Sequence, residues 1–138
     1  MVIFAIAARL SGFQAPDEVY KQGHSLHGQT FDIGPRQKPW VLPGIGKAHF
    51  PITTAIPEVQ QWFDHGNALL HSFWFYEAER SFRWRLKLEP ENAMAYWGLA
   101  RSASGDRAKD FAREAVKRKD KVSERERLYI EAVGCHNR

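Results

Sequence analysis

The sequence repeats itself at an interval of 34 residues, and this feature restricts the possible folds most strongly. After a shift of that length, large residues fall on large ones and small residues on small ones. The aligned pairs are Trp62 with Tyr96, Gly66 with Ala100, Ala78 with Ala112, and Phe82 with Val116. A second shift carries the pattern to Ile130, Val133 and Gly134, the first half of a third unit. Such a period is typical of stacked helical hairpins, in which each unit buries its apolar face against its neighbours.

Helix start and stop signals occur throughout residues 57–138. Pro57 suits the first position of a helix, because its missing N–H would have no partner there. Apolar residues then recur at intervals of three and four, the period of an amphipathic helix. A second helix is predicted from about Phe75 to Leu88. Pro90 ends it, because a proline disfavours helical geometry at the residue before it.

Capping signals predict three more helices in the rest of the chain. Asn92 is the predicted N-cap of a third helix over residues 93–103. Ser104-Gly105-Asp106 forms the next turn, and Asp106 is the predicted cap of a fourth helix that runs to about Lys121. Ser123 and Glu126 have the spacing of a capping box and predict the start of a fifth helix. The sequence therefore predicts five helices in hairpin order over residues 57–138.

The first unit carries a motif with fixed spacing. It consists of Trp62-x2-His65-Gly66-x2-Leu69, then Ala78-x3-Phe82, then Pro90. These residues resemble the tetratricopeptide repeat, a helix–turn–helix unit of the same length. The resemblance implies an all-α fold of antiparallel helix hairpins in a right-handed solenoid, with about two units plus one helix. It covers residues 59–92 most specifically and does not extend to residues 1–56.

Three positions depart from the family motif. His65 replaces a leucine, Phe73-Trp74 replaces a Gly-Asp turn, and Arg85 replaces an alanine. We expect Arg85 to lay its apolar stem along the hairpin and to place its charged head in water. Repeat packing does not explain Phe73 and Trp74, and we expect the N-terminal arm to lie beside them. Trp84 is also outside the pattern, and we expect it to face a neighbouring segment.

Residues 1–56 lack a sustained helical period. Val2–Leu10 is an apolar run that leads to small residues near Ala15, which is the shape of a signal peptide without its basic start. A short buried or frayed segment is the alternative for residues 1–15. Residues 16–56 are rich in Gly and Pro and predict an irregular arm. Because this arm carries Trp40, Phe50 and other apolar residues, we expect it to lie against the helices; a disordered tail is the alternative.

Three stretches, HFPITT, FDHGNALLHSFWFYEAERSF and NAMAYWGLA, also resemble a group of bacterial repeat proteins that often carry export signals. This resemblance implies that the chain is the N-terminal portion of a longer protein. It also implies a periplasmic or secreted location, with a cytoplasmic one as the alternative.

In tetratricopeptide repeats, the first helix of each unit lines a concave groove that binds a partner. The resemblance therefore implies a set of partner-binding side chains from the first and third helices, namely Gln60, Phe63, Asn67, Leu70, His71, Met94, Trp97 and Arg101. Trp62, Phe82 and Tyr96 are predicted core residues. Phe63 and Trp97 are aromatic beyond the needs of that core, so they would anchor apolar groups of a peptide. Packing beneath the N-terminal arm is the alternative for both.

No residue pattern in the chain predicts catalysis or a cofactor. Cys135 is the only cysteine, which excludes an internal disulfide and a multi-cysteine metal site. Nucleophile motifs, the zinc-protease motif and a phosphate-binding loop are absent from the sequence. His24 and His27 form an H-x2-H pair, but two loop histidines need a third ligand to hold a metal.

The charge pattern also argues against nucleic acid as a partner. The formal net charge is +4, but acidic residues interrupt the most basic stretch, residues 112–127. No apolar run reaches the roughly 20 residues of a transmembrane helix. We therefore expect a non-catalytic scaffold that binds a protein or peptide. The alternative is an accessory domain of an exported metal-binding protein or enzyme, with His24 and His27 as the first metal ligands to consider.

Overall fold

The computed structural model describes residues 34–35 and 37–136. Five α-helices are present in this part of the chain, without any strand. They are α1 (Pro57–His71), α2 (Phe75–Leu88), α3 (Ala93–Ser102), α4 (Gly105–Lys117) and α5 (Glu124–His136), with a short 3-10 turn over Lys119–Lys121 before α5. The predicted all-α class is confirmed, and the predicted bounds of α2 agree with the structure at both ends.

Each helix packs against the next one along the chain, and α3 also contacts both α1 and α5. Phe82 of α2 is fully buried and lies between two glycines. A Cβ atom at Gly66 would come within 2.9 Å of the Phe82 ring, and one at Gly98 would come closer still. Glycines at these two places therefore let α1 and α3 approach the ring of Phe82. Trp62 and Tyr96, predicted as core, are 6% and 0% exposed.

Two capping predictions have different outcomes. The Asn92 side chain accepts a hydrogen bond from the Ala95 N–H, so the predicted N-cap of α3 is confirmed. The prediction for Asp106 is wrong, because α4 already begins at Gly105 and Asp106 lies inside its first turn. There its carboxylate faces the positive end of the helix dipole without capping it. The helix also ends at Lys117, earlier than predicted, and the 3-10 turn follows.

The start of α5 confirms the predicted capping box. The Ser123 N–H donates to Glu126 at 3.0 Å, and the Glu126 N–H donates to the Ser123 hydroxyl at 3.4 Å. Glu126 is 1% exposed, which is rare for a carboxylate. Its other hydrogen bonds lead to the arm and are described with the site below.

Arg85 does not reach water, so the expectation of a solvated head is wrong. Its side chain is 0% exposed, and its guanidinium lies 4.6 Å from the centre of the Phe63 ring. One nitrogen donates to Asn92 Oδ1 at 2.6 Å, whereas Nε and Nη1 have no hydrogen-bond partner among the described residues. Burial lowers the pKa of Arg85 to about 9, against the opposing pull of Glu89 and other nearby carboxylates. The side chain is still protonated at neutral pH.

The turn between α1 and α2 is exposed. Phe73 has a positive φ of 63° and is 78% exposed, and Trp74 is 54% exposed. The described part of the arm therefore does not cover them, contrary to expectation. Trp84 does face a neighbouring segment, because the amino group of Lys38 in the arm lies 5.3 Å from the centre of its ring.

None of the helices among the described residues is long and apolar enough to span a bilayer.

The described part of the arm lies against the helices instead of extending into solvent. Leu42, Ile45, Phe50 and Ile52 are partly buried against the core. At its upstream end, Gly34 approaches a buried ion pair, Arg83 Nε to Glu79 Oε1 at 2.8 Å, so closely that a Cβ atom would collide with both side chains.

Candidate functional site

Side chains on one face of α1 hold the backbone of the arm. The Phe50 N–H donates to Asp64 Oδ1 at 3.1 Å, and Gln60 Nε2 donates to the Phe50 carbonyl at 2.9 Å. Further along the helix, Asn67 Nδ2 donates to the Ala48 carbonyl at 3.3 Å. Because these bonds join main-chain atoms of the arm, they hold an extended segment in place largely independently of its own side chains.

The opposite side of the same segment is held by α5. Glu126 accepts from the Thr53 N–H at 2.7 Å and from the Thr53 hydroxyl at 2.6 Å. Arg125 donates to the Pro51 carbonyl at 2.6 Å, and its guanidinium lies 4.2 Å from the centre of the Phe50 ring. The arm therefore runs between α1 and α5 and fills part of the groove between them.

Four aromatic rings meet where the arm crosses the groove. The centre of the Phe50 ring lies 5.8 Å from that of Phe63 and 5.1 Å from that of Tyr129. Trp97 completes the group, at 6.1 Å from Phe63 and 6.0 Å from Tyr129. Tilted and edge-on pairs at such distances stabilise a packed cluster. Phe50 is therefore the apolar anchor of the arm, and it is one of the side chains that bury Phe63.

His65 explains one departure from the repeat motif. Its Nε2 atom accepts a hydrogen bond from the Leu42 N–H at 3.1 Å, and its Nδ1 atom lies 3.0 Å from the Ser81 hydroxyl. A leucine at this position could not hold the arm. Burial lowers the pKa of His65, and the nearby charge of Glu77 opposes this only in part. The ring is therefore neutral when Nε2 accepts from the arm.

Acidification is expected to weaken this contact. Because the pKa of His65 is lower in the folded chain than its usual 6.5, the unfolded chain binds more protons as the pH falls below that value. The His65 contribution to stability is therefore complete above pH 6.5 and is lost as the pH falls through the lower, folded pKa. Urea unfolding at several pH values should show this loss in the wild type and in His71→Leu. It should be absent in His65→Leu, whose free energy of unfolding at pH 7.5 is expected to be about 1–2 kcal/mol lower. An unchanged pH dependence in His65→Leu would contradict the assigned contact.

Beyond Phe50 the groove remains open and forms a cavity of about 610 Å³. Its walls come from the arm, α1, the α1–α2 turn, the start of α2, α3 and α5. The lining residues are Phe50, Asn67, Leu70, His71, Phe73, Phe75, Trp97, Arg101, Tyr129, Ala132, Val133 and His136. The cavity is therefore largely apolar and aromatic, with a few nitrogen-bearing side chains. Those features are typical of sites for small molecules and for peptide side chains.

The structure brings most of the sequence-predicted groove residues together. Asn67, Leu70, His71, Trp97 and Arg101 all line this cavity. The remaining three, Gln60, Phe63 and Met94, do not. Phe63 and Met94 are 0% and 1% exposed and belong to the core, and Gln60 is bonded to the arm.

Sequence reasoning missed the wall that α5 provides. The 34-residue register places Glu131 and Cys135 in the positions of Trp97 and Arg101, but these two residues line a different cavity between α4 and α5. The groove instead receives Tyr129, Val133 and His136. Only the helical period of α5 could have indicated them, because these three residues recur at intervals of four and three.

The cavity between α4 and α5, of about 820 Å³, differs in its charge pattern. Its cations already have intramolecular partners, as in Lys117 with Glu114 at 2.5 Å and Lys119 with Glu131 at 2.7 Å. In the open end of the groove no acidic residue is among the lining residues, and Arg101 makes no ion pair within the described part of the chain. Of the two cavities, the one in the groove is therefore the better site for a negatively charged group of a partner.

The metal hypothesis gains no support from the described ranges. No group of three or more His, Cys, Asp or Glu side chains there could hold an ion. His24 and His27 lie outside the described residues. No family model, curated protein or solved structure matches this chain.

Proposed function

We propose that the chain is a tetratricopeptide-like scaffold that binds an extended segment of a protein partner at the open end of its groove. One observation carries this proposal: the groove already binds an extended segment, the chain's own arm. Gln60, Asp64 and Asn67 hold the backbone of that segment, and Phe50 fills an aromatic pocket. The cavity continues along the same groove.

The size and lining of the cavity suit a peptide side chain better than they suit catalysis. A volume of about 610 Å³ lies within the range of natural ligand pockets, roughly 300–1,000 Å³. Trp97, Tyr129 and Phe75 supply rigid aromatic surface, the kind that forms binding hot spots. Among the described residues that line it, there is no serine, cysteine or carboxylate that a histidine could activate or be oriented by. The proposed activity is therefore binding without a chemical reaction and without a cofactor.

The experiment is selection of a random octapeptide library, displayed on phage, against the immobilised wild-type chain. Selected peptides are then synthesised with a fluorescent label and titrated. The proposal expects at least tenfold weaker binding in Phe75→Ala and in Tyr129→Ala, because each removes exposed aromatic surface from the cavity wall. Both side chains are about half exposed, so the fold should survive their removal.

The matched controls are Lys109→Ala and Arg113→Ala, which change the cavity between α4 and α5. They are expected to leave the affinity of the selected peptides unchanged. Peptides that respond to the control substitutions and ignore the groove substitutions would refute this function, as would a library from which nothing binds.

A further inference from the structure

A row of polar side chains runs along the groove face of α1. Gln60, Asp64, Asn67 and His71 are spaced by four, three and four residues, which places all four on one side of the helix. The first three bond to the backbone of the arm. The fourth, His71, is exposed, lines the cavity and forms no side-chain hydrogen bond with the described residues. The row therefore extends one step beyond the segment that it holds.

The other two walls place nitrogen-bearing side chains at the same end of the cavity. Arg101 comes from α3 and His136 from α5, and both are exposed. The arginines of α5 have acidic or carbonyl partners; Arg125, for example, donates to the Pro51 carbonyl at 2.6 Å. Arg101 lacks an ion pair among the described residues, and no acidic side chain lines the cavity. This end of the groove is therefore complementary to a negative charge.

The floor beside these groups is apolar. Leu70, Trp97 and Val133 are 7%, 8% and 5% exposed and line the cavity. At its rim, Phe73 adopts a left-handed backbone conformation that is unfavourable for a bulky residue. Its ring is mostly exposed and has Phe75 as a neighbour at 6.2 Å. Nothing in the described core requires an aromatic residue at this strained position, so its exposed ring is available to a partner.

We infer that the partner segment carries a large apolar side chain next to an acidic side chain. The apolar group packs on Trp97, and the carboxylate pairs with Arg101. The chain's own N-terminal stretch also places acidic residues beside apolar ones, as in Glu18-Val19 and Phe31-Asp32-Ile33, so its binding is one of the outcomes that the test distinguishes. This inference rests on the proposed peptide-binding function and specifies the partner of that same site.

The test uses the selected peptides and a pair of charge-removing changes. The probes are one selected peptide and its copy with glutamine or asparagine in place of the acidic residue. On the wild type, the neutral peptide is expected to bind about tenfold more weakly, and the affinity of the acidic peptide should fall with added NaCl. On Arg101→Gln, the two peptides should bind equally. Arg113→Gln, at an exposed arginine away from the groove, should behave as the wild type.

Several outcomes would overturn the inference. The first is a selected set with no enrichment of Asp or Glu beside Phe, Trp, Leu or Ile. The second is a tenfold difference that persists in Arg101→Gln. A third is loss of binding on C-terminal amidation with no effect of the acidic side chain. Tighter binding by a synthetic peptide of residues 1–33, or self-association in sedimentation that the selected peptide reverses, would assign the cavity to this chain itself.

Failure of the inference is distinguishable from failure of the proposed function. If binding requires Phe75 and Tyr129 but does not require an acidic side chain in the peptide, the peptide-binding function stands. Only the proposed pairing of a carboxylate with Arg101 is then refuted. Peptides that bind independently of Phe75 and Tyr129, or a selection with no binders, would remove both.

Discussion

Replacement of Arg85 by alanine is expected to lower the free energy of unfolding by about 3–5 kcal/mol. This side chain of α2 is fully buried beside the Phe63 ring of α1, and it donates a hydrogen bond to Asn92, the N-cap of α3. Alanine would leave a cavity of several methylene groups and would remove the cation from among Glu89, Asp64 and Glu126. Urea denaturation followed by circular dichroism measures the effect.

Arg85→Met is the matched variant, because methionine keeps most of the volume without the charge. Two of the three guanidinium nitrogens have no hydrogen-bond partner in the described structure, so the desolvation of the charge is only partly repaid. We therefore expect Arg85→Met to be within about 1 kcal/mol of the wild type. A methionine variant as unstable as the alanine variant would show that the charge itself holds the helices together.

Replacement of Glu126 by alanine is expected to cost about 3 kcal/mol. The carboxylate accepts from the N–H groups and the hydroxyls of both Ser123 and Thr53. It therefore caps α5 and fixes the end of the arm at once. Hydrogen exchange should show faster exchange at the Thr53 and Ser123 amides, in addition to the lower stability measured in urea.

The control for this prediction is Glu124→Ala in the same helical turn. The Glu124 side chain is 82% exposed and lies 3.9 Å from Arg127. An exposed pair of this kind contributes less than about 1 kcal/mol. Equal losses in the two variants would contradict the role assigned to Glu126.

Glu126 also sets the behaviour of the fold in acid. Burial raises the pKa of its carboxyl group, but the hydrogen bonds from Ser123 and Thr53 outweigh burial and hold the pKa below its usual 4.5. The stability that this lowered pKa provides is therefore complete above pH 4.5 and is lost as the pH falls through the folded value. Glu126→Gln should lose this acid-dependent part, whereas Glu124→Gln should retain it.

The helices could be predicted from the sequence because local signals and the 34-residue period agree with each other. Pro57, Asn92 and the Ser123–Glu126 pair mark starts that the structure confirms. The burial of Phe82 followed from the small residues opposite it in the repeat. Such features depend on neighbours within a hairpin, and a repeat pattern contains that information.

The groove could be predicted only in part, because the arm competes for it. Gln60, Phe63 and Asn67 all contact the arm. The sequence of the arm has no periodic pattern, so its position against α1 could not be predicted. The burial of the Arg85 guanidinium could not be predicted for a related reason. Asn92, which follows the next turn of the chain, provides its buried partner, and no local signal in α2 predicts that contact.

The arm fills one part of the groove and leaves the other part open, and we propose that a partner binds in the open part. The most direct test is amide and indole NMR of the isotope-labelled chain during titration with a selected peptide. We expect shift changes at Leu70, His71, Trp97, Arg101 and Val133, with the Phe50 amide still protected from exchange. Changes confined to Val116, Gly134 and the rest of the α4–α5 cavity, or displacement of the arm from Asp64, would contradict the proposal.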